Sequence, residues 1–323
     1  MTEANLHMNK KQQPKENHQQ PPLVADGVLV IDKPAEWTSH DVVAKLRKIL
    51  RTRRIGHTGT LDPFATGVLV VCVNRATRLS QFLTADDKEY VATMQLGFAT
   101  DTGDFTGEPL APAADAGHIT PEQVREVLAL FRGRIQQIPP MYSAKKVGGV
   151  RLHEMARRGE EIERQPIEIE IKELELIADD AVAQAPEFTF RVVCSSGTYV
   201  RTLAEDIGKR LGVGAHLTGL RRTRAGDRNL EQAVSLERLG ELAEENLIGT
   251  VMIPMAEALA LPEIQLDPLE SQAIAHGRPV RRSGNWNAGT WAKLCNENQQ
   301  LLAIADYDAS RSVWQPRVVL IES

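Results

Sequence analysis

One carboxylate, Asp62, stands in a loop of small and turn-forming residues: Gly56-His57-Thr58-Gly59-Thr60-Leu61-Asp62-Pro63-Phe64-Ala65-Thr66-Gly67. The loop runs straight into an apolar strand, Val68 to Val73. Glycines open backbone conformations closed to other residues, and Pro63 fixes φ directly after the acid. A loop so restricted can hold one side chain still at the end of a rigid element, as a nucleophilic or general-base carboxylate requires. The same composition also fits a plain turn, because Asp and Pro both favour turns.

Three further segments carry groups that could serve such a carboxylate. The first is Lys88-Glu89-Tyr90, followed by Leu96-Gly97 and Thr100-Asp101-Thr102-Gly103-Asp104. The second is Pro139-Pro140-Met141-Tyr142-Ser143-Ala144-Lys145-Lys146, with Arg151, Arg157 and Arg158 beyond it. The third is Cys194-Ser195-Ser196-Gly197-Thr198-Tyr199-Val200-Arg201, with Leu220-Arg221-Arg222-Thr223-Arg224 after it. Singly, each has an ordinary reading. Tyr90 fits a core strand position, Ser196-Gly197-Thr198 fits a helix N-cap, and the arginines fit a solvated face. Cofactor motifs are missing. No G-x-x-x-x-G-K-[ST] occurs, and the G-x-G begun at Gly212 meets Leu217 where the third glycine belongs. The eight histidines form no H-x-x-x-H pair, and no cysteine or histidine cluster has metal spacing. We therefore expect neither cofactor nor metal.

Several elements can position these residues. Gly27 to Asp32 reads as a buried strand closed by Lys33-Pro34, and Thr38 with Asp41 as the capping pair of a helix carrying Val42, Val43, Leu46, Ile49 and Leu50. That helix runs into Arg51, Arg53 and Arg54. Lys88 to Leu96 alternates Tyr90, Ala92, Met94 and Leu96 on one side, as a strand does. Thr120-Pro121-Glu122 opens a helix with Val124, Val127, Leu128 and Phe131 as its stripe and Gly133 as its end. Pro166 to Leu176 and Phe188 to Cys194 alternate as strands, and Tyr199 to Leu211 reads as a helix closed by Gly212. These patterns predict an α+β fold, a mixed and largely antiparallel sheet flanked by helices. After Leu261-Pro262 the texture becomes strand-like and turn-rich. We expect a tail over residues 1–25 too polar to order, a catalytic domain over 26–260, and a small β domain over 261–323 whose removal spares the chemistry.

The 323 residues leave ample length for a core, and 42% hydrophobic with 25% charged residues is ordinary for a globular protein. Net charge is −5, so any polyanion must be held by local basic patches. Three scattered cysteines argue for a reducing compartment, and the N-terminus lacks the apolar stretch of a signal peptide. No apolar run is long enough to span a bilayer. A cytoplasmic protein is expected.

Taken in order, the segments resemble the bacterial TruB family, the tRNA pseudouridine-55 synthases. The likeness covers about Gly27 to Thr223, and G-H-T-G-T-L-D-P-x-A-x-G-V-L is its most specific motif. The last 60 residues resemble, more weakly, the PUA-type RNA-binding module common in that family. Two departures, His153 in Arg151-Leu152-His153-Glu154 and Asp227 after Ala225-Gly226, lie outside the catalytic motifs.

The resemblance implies that a monomer isomerises uridine in the T-arm loop of tRNA. It makes Asp62 the nucleophile, Tyr90 the aromatic under the flipped base and Arg201 the partner of the carboxylate. Tyr199 and Leu220 would line the uracil pocket, and His57 would fill the space the nucleotide vacates. Lys33 and Asp104 join them among the substrate contacts, while Lys145 with Lys146, and Arg221 with Arg222, would grip RNA. Two other readings stay open on residues alone: a non-catalytic RNA-binding protein, and a nucleoside hydrolase, which usually needs a second acid or a metal.

Overall fold

The run Val68-Leu69-Val70-Val71-Cys72-Val73 is apolar on both faces, as a strand covered on both sides must be. In the computed structural model, which describes residues 25–143, 146–147, 150–156, 158–160, 162–177, 186–282 and 284–321, it does lie between two cores. Val68, Val70 and Cys72 face one core and Leu69, Val71 and Val73 the other. The tail expected over residues 1–25 falls almost wholly outside the described residues.

The chain lays down β1 (Gly27–Lys33), α1 (Ser39–Ile49), β2 (Ile55–His57), β3 (Thr66–Val73), α2 (Ser80–Thr84) and β4 (Lys88–Leu96). There follow α3 (Pro121–Ala129), β5 (Gly133–Gln137), β6 (Lys146–Val147), β7 (Val150–Arg151), α4 (Leu152–Ala156), β8 (Ile167–Leu176) and β9 (Glu187–Cys194). Helix α5 (Val200–Leu211), β10 (Ala215–Ala225), β11 (Arg228–Asn229), α6 (Leu236–Glu244) and β12 (Ile253–Pro254) complete this part. Ten strands form one sheet in the order β12-β1-β3-β10-β4-β9-β8-β5, with β2 beside β3 and β11 beside β10. Among the described strands of this sheet only β3 and β10 run parallel; the other pairs are antiparallel. The fold is α+β with a mixed, largely antiparallel sheet.

Local chemistry accounts for the elements. Thr38 and Asp41 close a reciprocal capping box on α1, and Thr120 does the same with Gln123 on α3. Helix α5 ends at Gly212, whose φ of 81° suits glycine. Helix α3 stops at Ala129, two residues short of the expected Phe131, and Gly133 opens β5 rather than closing the helix. Helices α1 and α6 cover one face of β1 and β3, while α3 and α5 cover the inward face of β4, β8, β9 and β10.

A second sheet, ordered β13-β15-β16-β17-β14, is built from Glu263–Gln265, Trp291–Cys295, Leu301–Asp308, Val313–Val319 and Val280–Arg281, with helix α7 at Pro268–Ala275. Its Cys295, Leu301, Ile304, Val318 and Leu320 share one apolar core with Val28, Val30, Val68 and Val70. Arg75 Nη1 donates to Leu320 O at 3.0 Å, and Lys293 Nζ to Ala256 O at 2.7 Å. Removing residues 262–323 therefore strips one face of β1 and β3. Each large aliphatic side chain so exposed costs about 1.5–3 kcal/mol, and several together approach a whole domain's stability. The chain ending at Leu261 is expected to aggregate or to melt at least about 10 °C lower by circular dichroism. A soluble fragment with the parent's melting temperature would show that the shared core contributes little. Among the described residues no helix is long and apolar enough to cross a membrane.

Candidate active site

The Asp62 loop joins β2 to β3 and is pinned from several directions. Ser39, the first residue of α1, accepts from Leu61 N at 2.9 Å through its hydroxyl, which donates back to Leu61 O at 3.2 Å. Lys33 Nζ donates to Pro63 O at 3.1 Å, Trp37 O at 2.5 Å and Pro34 O at 2.8 Å. Arg222 on β10 donates from Nε to Val68 O at 2.6 Å and from Nη2 to Gly59 O at 3.1 Å. Gly67, at φ 99°, lets β3 approach β10 so closely that a Cβ there would lie 2.2 Å from Arg222 O. The loop is a rigid mount.

Helix α5 supplies the carboxylate's partner. Arg201, only 4% exposed, donates from Nε to Asp62 Oδ2 at 2.8 Å and from Nη2 to Asp62 Oδ1 at 3.1 Å. This is the two-pronged contact that a planar guanidinium makes best with a carboxylate. The rest of the guanidinium is also held: Nη1 donates to Thr102 O at 2.5 Å, Nη2 to Tyr142 O at 2.7 Å, and Asp104 Oδ2 lies 3.8 Å away. The Asp62 side chain keeps 32% of its surface open. Its pKa is raised, first by desolvation and next in that direction by Asp104, against the opposing charge of Arg201. A carboxylate on the high side of its range, oriented by a fork, is a better nucleophile than a freely solvated one.

Asp62 and Arg201 open on a cavity of about 250 Å³ that Tyr90, Tyr199, Leu220 and Arg222 also line. That is just under the usual small-ligand range and fits one nucleoside rather than a folded RNA. Tyr90 reaches it because β4 alternates, with Lys88, Tyr90, Ala92, Met94 and Leu96 all inward. Burial raises the Tyr90 phenol pKa, so it stays protonated at neutral pH. Tyr199 precedes α5 and is fixed through its backbone by Gln137, whose amide accepts from Tyr199 N at 2.8 Å and donates to Tyr199 O at 3.0 Å. Among the described lining residues Asp62 is the sole carboxylate.

The other expected site residues fall elsewhere. Lys33 is fully buried with its protons taken by three carbonyls, so it mounts the loop rather than reaching outward; burial pulls its pKa down to about 8. Asp104 lies behind Arg201, accepting from Thr106 N and Thr102 Oγ1, each at 3.0 Å. His57 stands beside the cavity, not among its lining residues, with a buried Nδ1 that has no hydrogen-bond partner. Burial pushes its pKa down to about 4, so the ring is neutral.

Arg221 and Arg222 do not form the expected exposed pair. Successive strand residues face opposite ways, so Arg222 is buried at 2% exposure while Arg221 donates to Asp32 Oδ2 at 2.8 Å near the surface. Lys145 and Arg157 lie outside the described residues, and Lys146 pairs with Arg151 in the β6–β7 hairpin. Sequence reasoning missed Ser39 and Gln137, and it named Lys88 beside Tyr90 without placing it inward. Only Lys88 had a signal, the period-two pattern it shares with Tyr90.

Family comparison covers most of the chain. Residues 47–200 match the N-terminal domain of TruB family pseudouridylate synthases. Residues 201–260 match the tRNA pseudouridylate synthase B C-terminal domain, and 262–319 the C-terminal region of pseudouridine synthase II TruB. The chain is 48% identical over 267 residues to tRNA pseudouridine synthase B of Geobacter sulfurreducens, covering 82% of this chain and 86% of that protein. It is 41% identical over 302 residues to the enzyme of the same name from Bacillus anthracis, covering 92% and 98%. Among solved structures it resembles the archaeal box H/ACA Nop10–Cbf5 complex, with a TM-score of 0.67 at 29% identity over 96% of this chain and 89% of the other. An H/ACA ribonucleoprotein bound to a substrate RNA containing 2′-deoxyuridine gives 0.69 at 26% identity, over 91% and 85%. With a rigid carboxylate, its arginine fork and a nucleoside-sized cavity in place, the chain belongs to the TruB family of pseudouridylate synthases.

Proposed function

We propose that this protein converts uridine to pseudouridine at position 55 in the T-arm loop of tRNA, as a cytoplasmic monomer, with Asp62 as nucleophile. The observation that carries the reading is the Asp62–Arg201 fork opening on the nucleoside-sized cavity. The reaction is an isomerisation. The bond from C1′ to N1 breaks, the base turns, and C1′ bonds to C5; C5 gives up a proton and N1 takes one. No electrons leave, and one carboxylate that attacks C1′ or C6 suffices.

Each lining residue then has a task. Arg201 holds Asp62 ionised and aimed. Tyr90, protonated by burial, lies against the flipped uracil, and its phenol can relay a proton; stacking of this kind returns about 1–3 kcal/mol of the cost of flipping. Tyr199 and Leu220 close the sides, and neutral His57 fills space beside the vacated stack. Lys33 and Asp104 fix the loop and the guanidinium. Residues 261–323 act as a PUA-like RNA-binding region, and Lys145, Lys146 and Arg221 meet RNA backbone.

Incubating the purified protein with an unmodified tRNA transcript and mapping pseudouridine by carbodiimide adducts and primer extension tests this. One stop in the T loop, at position 55, is expected; no stop, or stops elsewhere only, would overturn it. The same assay reads the carboxylate. Because the Asp62 pKa is raised, kcat/KM should rise with pH through a value above the ordinary 3.8 and then level off. An acid limb at or below 3.8 would remove Asp62 in this environment as the essential base form.

A further inference from the structure

Phe105 immediately follows Asp104, and the residue is 54% exposed. It meets Phe64, two residues after Asp62, edge to face: ring centroids 5.7 Å apart, planes at 85°. Phe64 is itself packed on the core that contains Tyr90 and Leu220. Two of the chain's seven phenylalanines thus form an aromatic shelf outside the lining of the cavity, each within two residues of a carboxylate that Arg201 touches or approaches. A perpendicular pair leaves at least one face of Phe105 uncovered by its partner.

The backbone under Phe105 is stiff. Phe105 N donates to Leu217 O at 2.8 Å, and the Asp104 carboxylate accepts from Thr106 N at 3.0 Å. An exposed ring on so rigid a turn loses little entropy when something lies against it. On the proposed function the cavity takes one nucleoside from an RNA loop, and removing that nucleoside unstacks its neighbours. Proteins that read single-stranded RNA receive such splayed bases on aromatic faces, which accept any base because every base has a π-face.

We propose that Phe105, backed by Phe64, is a second base-binding position, on which an unpaired base flanking the target uridine stacks. This rests on the reading of the protein as an RNA uridine isomerase. The shelf offers two aromatic rings, a surface that suits a nucleobase rather than a phosphate. Its contribution is to hold the loop open while the target is turned.

The test compares wild type, Phe105→Ala, Phe105→Leu and Phe105→Tyr on T-arm stem-loops, either intact or with one abasic nucleotide on the 5′ or 3′ side of the target. On intact RNA, Phe105→Ala should raise KM about tenfold, within the range for losing one stacked base, with most of the effect in KM rather than kcat. Phe105→Tyr should restore binding and Phe105→Leu should not, since bulk without a π-face does not stack. On one of the two abasic RNAs, wild type should already bind weakly and Phe105→Ala should add less than twofold. Equal loss from Phe105→Ala on all three RNAs, rescue by leucine, or unchanged KM would overturn the shelf. Wild-type turnover on intact RNA is the control for the underlying reading: if it is absent, the isomerase assignment fails; if present, only the shelf is at stake.

Discussion

Asp62→Asn is expected to lower pseudouridine formation by a factor on the order of 10⁴ or more, the scale seen when a covalent nucleophile is removed. The amide keeps the shape of the carboxylate and its oxygen can still accept from Arg201 Nε, but its NH2 then faces the Nη2 donor, so of the two bonds at 2.8 and 3.1 Å only the first survives. Arg201 retains the carbonyls of Thr102 and Tyr142 and the nearby Asp104, so it is not stranded. The Asp62 pKa is raised in the fold, which means that folding disfavours its ionised form; replacing it with a neutral group should not reduce stability greatly. RNA affinity should stay within a few-fold of wild type. Single-turnover tritium release from 5-³H-uridine RNA, with a melting curve alongside, separates chemistry from folding. Turnover within about a hundredfold of wild type by a folded mutant would leave Asp62 without its nucleophilic role.

How much of this was legible from sequence depends on the residue. Asp62 is singled out by the glycines and Pro63 around one acid before an apolar run, but that composition fits a plain turn as well, and the likeness of the whole motif to the family decided between the two. The alternation of β4 shows Tyr90 facing the core, though not that the core opens there into a cavity. Arg201 is different. It stands 139 residues from Asp62, and nothing in the local pattern of α5 tells an inward arginine from a solvated one; family resemblance alone paired them.

Strand β10 was hidden for another reason. Bulges between Leu217 and Gly219 and between Arg222 and Arg224 break its period of two, so Arg221-Arg222-Thr223-Arg224 looks like a uniform polar face. The second sheet's turns were readable, but its docking was not. A strand apolar on both sides, such as β3, shows that both faces are covered without showing by what.

The hidden register of β10 leads to the second large effect. Arg222→Glu is expected to unfold or strongly destabilise the protein, whereas Arg221→Glu is tolerated. Arg222 donates to Val68 O and Gly59 O from a position 2% exposed, and its guanidinium lies 6.0 Å from the Tyr90 ring centroid. A carboxylate there would face two carbonyl oxygens and remove the donors that mount the Asp62 loop. Even the neutral Arg222→Met leaves both acceptors unpaired, at about 1–3 kcal/mol each. That corresponds to a melting point lower by roughly 4–20 °C.

Arg221 pairs with Asp32 where both side chains are more than a third open, and such pairs contribute about 0–1 kcal/mol. Its reversal should leave the melting point within about 3 °C. If Arg221 meets a phosphate, the slope of log K against log salt should also shrink by about 0.7–0.9. Thermal melts and filter-binding salt titrations on the two variants distinguish the cases. An Arg222→Glu protein that melts like wild type and merely binds RNA more weakly would restore Arg222 to an exposed gripping role, and with it the reading of Arg221-Arg222 as one basic patch.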